Sequence, residues 1–274
     1  MSTLGHKIDF AVILSVTKAN PNGDPLNGNR PRQNYDGHGE ISDVAIKRKI
    51  RNRLLDMGEK VFVQSDDRKA DEFKSLRERA DAHPELAKML KGKNASADEF
   101  AKLACQEWID VRSFGQVFAF KGSELSVGVR GPVSIHTATS IDPIDIVSTQ
   151  ITKSVNSVTG DKRSSDTMGM KHRVDFGVYV FKGSINTQLA EKTGFTEEDA
   201  EKIKQALITL LKMTVPLPAQ RAVWKSIRFT GGVILPSWDN IRRLKYIVHY
   251  KFIRHLLRRK VLMIIQLNLR NSMA

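Results

Sequence analysis

The sequence predicts an α+β protein with a ferredoxin-like (RRM-like) core, a helical insertion and a protruding arm. Three observations lead to this prediction. An apolar run near the N-terminus is typical of a buried strand, an amphipathic helix with a clear start and stop follows it, and strand patterns then precede a further helix. The order strand, helix, strands, helix is that of a ferredoxin-like core.

The first element is the apolar run at residues 8–16, which is rich in strand-forming residues and has few polar breaks. We expect it to be a central strand covered on both faces. Residues 20–32 follow and are dense in Asn, Asp, Gly and Pro. Gly23 and Gly28 allow backbone conformations closed to other residues, and the prolines fix φ. We therefore expect a loop of defined shape displayed at the edge of the sheet.

An amphipathic helix is predicted after the loop. Ser42 is a suitable N-cap and Gly58 provides a stop. The apolar residues recur at helical spacing, at Ile46, Ile50, Leu54 and Met57. Basic residues lie away from this stripe, with Lys47 and Arg51 one turn apart and Arg48 further round.

A charge-mixed segment then departs from the core pattern. After a short strand expected at residues 61–63, residues 66–95 predict an inserted helical hairpin with breaks at Pro84 and Gly92. The next helix begins at the cap Ser96, with a glutamate three residues on. Its apolar stripe predicts burial of Phe100, Leu103, Ala104, Trp108 and Val111.

Strands and an arm make up the second half of the core. Residues 114–121 and 125–135 predict paired strands. Residues 140–170 have few large apolar side chains and no helical period, so we expect a long protruding arm without regular structure. Residues 173–187 return to a strand pattern, and a last helix opens at Thr196. Its apolar stripe is formed by Ile203, Ala206, Leu207, Leu210 and Leu211.

The net charge of +14 is concentrated near the C-terminus. Residues 212–274 hold 13 lysines and arginines and one acid, whereas residues 1–211 hold 31 cations and 29 acids. Nucleic-acid binding by residues 1–211 must therefore be argued from local clusters and not from overall charge.

The single cysteine, Cys105, excludes a disulfide within the chain and a thiolate zinc cluster. No apolar run is long enough to span a bilayer, so we expect a cytoplasmic protein that binds no membrane.

One local cluster stands out on the loop and the helix flank. Its members are Arg30, Arg32, Lys47, Arg48 and Arg51. Together they offer several donors for phosphate oxygens. A solvated helix face is the alternative interpretation, and spacing alone leaves the two about even.

Several runs of the sequence resemble a known family. They include Asn-Pro-Asn-Gly-Asp-Pro-Leu-Asn-Gly-Asn-Arg-Pro-Arg at 20–32, Trp-Ile-Asp-Val-Arg-Ser-Phe-Gly at 108–115, Arg-Gly-Pro-Val at 130–133 and Thr-Met-Gly at 167–169. Over about residues 5–211 the chain is similar to the guide-RNA-binding backbone subunit of type I-C CRISPR Cascade, a member of the RAMP superfamily. The resemblance implies a RAMP-type RNA-binding domain at residues 1–211, with insertions at about 66–95 and 140–170.

The resemblance also implies where RNA binds. The loop and the first helix would follow the guide RNA backbone, with neutral contacts from Asn27 and Gln33. The arm resembles the thumb of the family, which folds over the guide RNA of the neighbouring copy and unstacks a base. Met168 is then the candidate wedge between bases, and Lys171 and His172 join it on the arm.

The resulting functional hypothesis is a non-catalytic scaffold without cofactors. Copies polymerise along one guide RNA, so that the guide reads the target DNA by pairing. Further partners implied by the resemblance are other Cascade subunits and a helicase-nuclease recruited to the complex. Two alternatives stay open, a general single-strand RNA binder and a metal-dependent ribonuclease that uses Asp24. Asp24 is more simply explained as a turn former, because no nearby histidine or second carboxylate completes a catalytic set.

The resemblance stops at about Leu211, where acids nearly vanish from the sequence. With permitted synonymous codons, residues 212–225 can be encoded by bases that read like the family in a neighbouring frame. We therefore expect residues 212–274 to be an out-of-frame basic tail, with its residues 241–269 poorly ordered or loosely helical. The final strand of the sheet would be missing, which would leave a sheet edge open.

Overall fold

Antiparallel strands and helices follow one another in groups in the computed structural model, which describes residues 2–92, 95–152, 168–210 and the backbone of 225–231. The strands are β1 (Ile8–Ala19), β2 (Gly23–Asp24), β3 (Arg30–Pro31), β4 (His38–Ile41), β5 (Gly115–Ala119), β6 (Ser126–Arg130), β7 (Val133–Ile135), β8 (Ala138–Pro143), β9 (Ile146–Thr152), β10 (Met168–Ile185) and β11 (Lys225–Gly231). The helices are α1 (Asp43–Asp56), α2 (Leu76–Asp81), α3 (Pro84–Lys91), α4 (Ala97–Glu107), α5 (Ile109–Phe114), α6 (Thr187–Thr193) and α7 (Glu197–Thr209). The predicted α+β class is confirmed. In these ranges, no helix has the length and apolar character needed to cross a membrane.

The main sheet has the strand order β11-β1-β10-β8-β4, and β7 and β9 also pair with β10. The central position predicted for the first strand is confirmed, since β1 pairs with β10 and with β11. The prediction that both faces of β1 are covered differs from the structure. The side chains of Phe10, Val12, Leu14 and Val16 are buried, whereas Ala11 and Ile13 on the other face are only half-buried. One face of the strand therefore carries the core.

Helices α1 and α7 pack together as part of this first core, and both begin as predicted. Ser42 caps α1 by accepting a hydrogen bond from the Ala45 amide, and Ile46, Ile50 and Leu54 are buried. Helix α7 begins with a capping box between Thr196 and Asp199. Burial of each large aliphatic side chain contributes about 1.5–3 kcal/mol, so the apolar stripes fix both helices to the core.

The insertion is larger than the predicted residues 66–95. It comprises α2 to α5 and the β5–β6 hairpin, and it forms a second core of its own. Its centre is aromatic, with ring centroids 4.6 Å apart for Phe62 and Trp108 and 5.0 Å apart for Phe62 and Phe118. The predicted helical hairpin is present as α2 and α3, and the predicted breaks are confirmed, because Pro84 begins α3 and Gly92 ends it. The short strand predicted at residues 61–63 is wrong, because the amides of Phe62 and Val63 donate to the Asp110 carboxylate.

A charged side-chain pair joins α5 of the insertion to α7 of the first core. Arg112 donates from Nε and Nη2 to the two carboxylate oxygens of Asp199, at 2.9 and 2.8 Å. Burial opposes ionisation of Asp199, but hydrogen bonds from Arg112 and Thr196 outweigh it, so the pKa of Asp199 lies below its ordinary value. The pair therefore links the two cores through a charged, well-hydrogen-bonded contact.

The arm differs from the structureless segment that was predicted. Its described part is a β-hairpin in which β9 pairs with the N-terminal half of β10, from Met168 opposite Thr152 to Val174 opposite Ile146. Strand β10 continues from the arm into the middle of the main sheet. The predicted arm at residues 140–170 also contains the cations Lys153, Lys162 and Arg163, which lie outside the described residues.

The backbone of β11 corrects the expectation of an open sheet edge. Residues 225–231 pair with β1, from Phe10 opposite Gly231 to Ser15 opposite Lys225. A strand therefore covers this side of β1 despite the loss of resemblance in the sequence. The remainder of the tail, including residues 241–269, lies outside the described residues.

Candidate nucleic-acid interface

The loop after β1 is held in one shape and joined to the start of α1. The Asn20 amide donates to the Asn29 carbonyl at 2.7 Å, and Asn29 itself has a positive φ of 59°. Asn22 Oδ1 accepts hydrogen bonds from the amide and the hydroxyl of Ser42, at 2.9 and 3.0 Å. These contacts bring the loop and the first turn of α1 onto adjoining surfaces. Asn27 is exposed at the tip of the loop.

Four of the predicted cations are accessible on this surface. Arg30 is half-buried on β3, and Arg32 lies 3.5 Å from Asp24. On α1, Nζ of Lys47 lies 3.1 Å from Oδ2 of Asp43, and Nη2 of Arg48 lies 3.2 Å from Oδ1 of Asp67. Exposed pairs of this kind are worth about 0–1 kcal/mol, so a phosphate group can replace the carboxylate partner at little cost.

Arg51 is placed differently from the prediction. Its side chain is only 14% exposed, and its Nε donates at 2.9 Å to Oδ2 of the fully buried Asp110. The guanidinium carbon also lies 5.2 Å from the centre of the Phe114 ring. The flank of α1 that carries Arg51 faces the insertion, so Arg51 makes a structural contact in this protein, and its predicted role in phosphate binding stays a prediction.

Gln33 is likewise engaged within the protein. Its side-chain amide donates to the carbonyls of Gly37 and Ile144, at 3.2 and 3.0 Å. Gln33 therefore fixes the turn before β4 to the base of the arm. Gln33 is nevertheless exposed, so the sugar or phosphate contact predicted for its amide group stays a prediction.

Asp24 forms the turn that its sequence context predicts. Its Oδ1 accepts a hydrogen bond from the Leu26 amide at 3.3 Å and caps a short 3-10 turn, Pro25–Asn27. The same oxygen is the partner of Arg32. Across the described ranges, no group of three or more His, Cys, Asp and Glu side chains is arranged to hold a metal ion.

The arm presents its candidate residues on two different faces. Residues directly opposite in an antiparallel pair share a face, and successive residues alternate. Met168 and His172 therefore lie on one face, together with Met170, and Lys171 lies on the other. Met168 is 61% exposed, and its sulfur accepts a hydrogen bond from Gln150 at 2.7 Å. His172 hydrogen-bonds Ser148 at 2.8 Å. Met168, the candidate wedge, and Lys171, the candidate cation, therefore lie on opposite faces of the arm.

Lys49 is one of two cations of α1, together with Arg53, that were not singled out from the sequence. Lys49 is half-buried, and its pKa is lowered by burial and further by the charge of Arg48. The sequence shows three consecutive cations at residues 47–49, but packing alone decides which of them turns inward.

Together, an α+β fold, a cationic loop-and-helix surface and a two-faced hairpin arm are features of a nucleic-acid-binding protein. Residues 6–215 match the family described as CRISPR-associated protein Cas7, and the chain belongs to that family. A curated relative, CRISPR-associated protein Cas7 of Haloferax volcanii, is 25% identical over 226 residues. The match covers 74% of this chain and 63% of that relative, so the chain spans about three fifths of its length.

Solved structures with a similar fold have low sequence identity to this chain. A CRISPR RNA-guided surveillance complex in a pre-nicking state has a TM-score of 0.49 and 17% identity, covering 81% of this chain and 76% of that one. A second CRISPR RNA-guided surveillance complex has a TM-score of 0.48 and 15% identity, covering 89% and 85%. A type III-B Cmr-beta complex bound to cognate target RNA has a TM-score of 0.44 and 10% identity, covering 82% and 60%. At these values the similarities carry no argument about function.

Proposed function

We propose that this chain is a non-catalytic CRISPR RNA-binding backbone subunit of a type I-C Cascade, and that copies of it polymerise along one guide RNA. The observation that carries this proposal is the bonding of Asn22 to Ser42, which joins the cationic loop to the basic start of α1. Arg30, Lys47 and Arg48 then offer donors to successive phosphates. Such contacts do not depend on base sequence, as a scaffold for any guide requires.

The arm supports a second part of the proposal, in which the hairpin acts as the thumb. The face with Met168 inserts its apolar side chain between bases, and the opposite face places Lys171 near phosphates. The strand order β11-β1-β10-β7 within the main sheet supports a ferredoxin-like core beneath this arm.

The partners follow from this arrangement. Guide RNA held by its backbone leaves its bases available to pair with target DNA, so the guide and not the protein reads the target. The further partners proposed are additional copies of this chain, other Cascade subunits and a recruited helicase-nuclease, in the cytoplasm.

Binding to RNAs of increasing length tests the proposal. The number of bound copies, counted by native mass spectrometry, is expected to rise by one for each fixed increment of RNA length. A general single-strand binder would bind all lengths without a fixed increment. Cleavage of the RNA in manganese buffer would instead favour the ribonuclease alternative.

An out-of-frame origin of residues 212–274 remains part of the proposal, although the pairing of residues 225–231 with β1 counts against it. The family match ends at residue 215, close to the position where the sequence resemblance ends. Sequencing of the coding DNA tests it: a single intact frame, with no alternative that restores the family's C-terminus, would contradict an out-of-frame tail.

A further inference from the structure

An aromatic side chain is displayed at the tip of a tightly bonded turn, residues 34–38, which we call the knob. Asn34 Oδ1 accepts hydrogen bonds from the amides of Asp36 and His38, at 3.0 and 2.8 Å. The Ile144 amide donates to the Gly37 carbonyl at 3.0 Å, which fixes the knob to the base of the arm. Within this turn Tyr35 is fully exposed, at 106% of its reference area. A rigid turn that holds a tyrosine entirely in solvent is a feature of binding surfaces.

Two carboxylates beside Tyr35 favour a protein partner over RNA at the knob. Asp36 follows Tyr35 directly, and the exposed Asp145 comes next to Ile144, whose main chain bonds the knob. Both carboxylates would repel phosphate groups. They favour a partner that offers cations beside an apolar surface.

This chain carries such a surface on the exposed face of the β5–β6 hairpin, which we call the saddle. Phe118 and Val127 point into the insertion core, so their neighbours Val117 and Gly128 share the outer face. Val117 is 66% exposed, and the space over Gly128 is open, since an added Cβ would have no neighbour within 4 Å. Ala119 and Ser126 keep this face shallow, and the exposed cations Lys121 and Arg130 stand at its two ends.

We propose that the knob of one copy docks on the saddle of the next copy, with Tyr35 over Val117 and Gly128 and with Asp36 facing Arg130. The aromatic ring fits a shallow apolar face, and the acid beside it complements the cations at its ends. Because knob and saddle are different patches of one chain, the contact is heterologous and repeats from copy to copy. This inference rests on the proposed polymerisation along RNA and assigns the residues that join adjacent copies.

Charge reversal tests the contact. Asp36→Arg and Arg130→Asp each place like charges together, and each is expected to weaken addition of a second copy to a long RNA about tenfold or more. The double variant D36R/R130D restores opposite charges and is expected to recover most of that loss. Tyr35→Ala is expected to weaken the same step about tenfold without recovery. Copies per RNA are measured by sedimentation velocity.

Matched variants and a short RNA separate the possible outcomes. Glu72→Arg and Lys69→Asp make the same charge changes at exposed positions of the insertion, and we expect no effect on assembly from either. On a short RNA that holds one copy, all variants are expected to bind as the wild type does.

Weaker binding of Tyr35→Ala to that short RNA would identify Tyr35 as a base-stacking residue and overturn the proposal. Unchanged assembly of the single variants, or no recovery in the double variant, would overturn it while leaving the proposed function intact. Wild-type protein that never places two copies on a long RNA would overturn both.

Discussion

Nε of Arg51 lies 2.9 Å from Oδ2 of Asp110, a carboxylate with no exposed surface. The same carboxylate accepts the amides of Phe62 and Val63, at 2.7 and 3.1 Å. One buried acid therefore fixes α1, α5 and the start of the insertion relative to one another. The contact holds the flank of α1 that carries Arg51 against the insertion, whereas Arg48 stays exposed.

Arg51→Ala is expected to destabilise the protein by about 3–5 kcal/mol, because it leaves the Asp110 charge buried without its cationic partner. Arg48→Ala breaks an exposed pair with Asp67 and is expected to cost less than about 1 kcal/mol. Urea unfolding of both variants measures the difference. Equal, small losses would show that Arg51 is not a structural residue.

Removing Lys47 and Arg48 together is expected to weaken RNA binding similarly for all sequences. The slope of log affinity against log salt should fall by about one to two counterions, as the loss of two phosphate contacts requires. The control K60A/K204A also removes two cations from exposed ion pairs, and its salt slope should stay near that of the wild type. An unchanged slope for K47A/R48A would exclude this helix from the RNA surface.

Met168→Ala is expected to reduce base unstacking in the bound guide RNA. The measurement uses 2-aminopurine, which fluoresces when unstacked, placed at successive positions of the RNA. The variant should lose fluorescence at regularly repeating positions, because alanine is too short to separate two bases. Ile151→Ala truncates an exposed apolar side chain on the opposite face of the arm and should keep the signal. Equal losses in both variants would contradict the assignment of Met168 as the wedge.

Asp24→Ala is expected to affect the loop and not any chemistry. Loss of the hydrogen bond to the Leu26 amide should cost about 0.5–2 kcal/mol, in the range of other side-chain caps. Thermal unfolding measures this cost, and a cleavage assay in manganese buffer measures the chemistry. If the wild type cleaves bound RNA and the variant does not, the scaffold hypothesis is wrong and the ribonuclease alternative is favoured.

The contact between Arg112 and Asp199 is expected to make stability pH-dependent. The pKa of Asp199 is depressed in the folded protein, so its contribution is fully present above the ordinary value of 3.8 and is lost as pH falls through the depressed value. The difference in unfolding free energy between wild type and Asp199→Asn should therefore be large at neutral pH and shrink in acid. Glu201→Gln alters an exposed acid and should give a smaller difference at every pH. A difference that stays constant into acid would contradict this account.

Local patterns determined much of the fold. The N-caps Ser42, Ser96 and Thr196 were found from the sequence because a cap acts on amides only two or three residues away. The apolar stripes of α1 and α7 were found for the same reason, since helical periodicity is a local property. The turn at Asp24 also depends on contacts within two residues.

The sequence did not reveal features that depend on distant residues. The hairpin of the arm is defined by the pairing of residues 146–152 with residues 168–174, which are distant from them in the sequence. The strand predicted at residues 61–63 failed because a carboxylate 47 and 48 residues away takes the amides that a strand partner would have taken.

The sequence by itself determined the class of fold, the starts of α1, α4 and α7 and the set of candidate cations, because composition, capping and periodicity are properties of neighbouring residues. Only the tertiary structure decided how those cations are used. Arg48 and Arg51 lie three positions apart on one helix, yet the first pairs at the surface with Asp67 and the second pairs in the interior with Asp110. The difference arises because α5 packs against one flank of α1, and that packing sets which charge is removed from water.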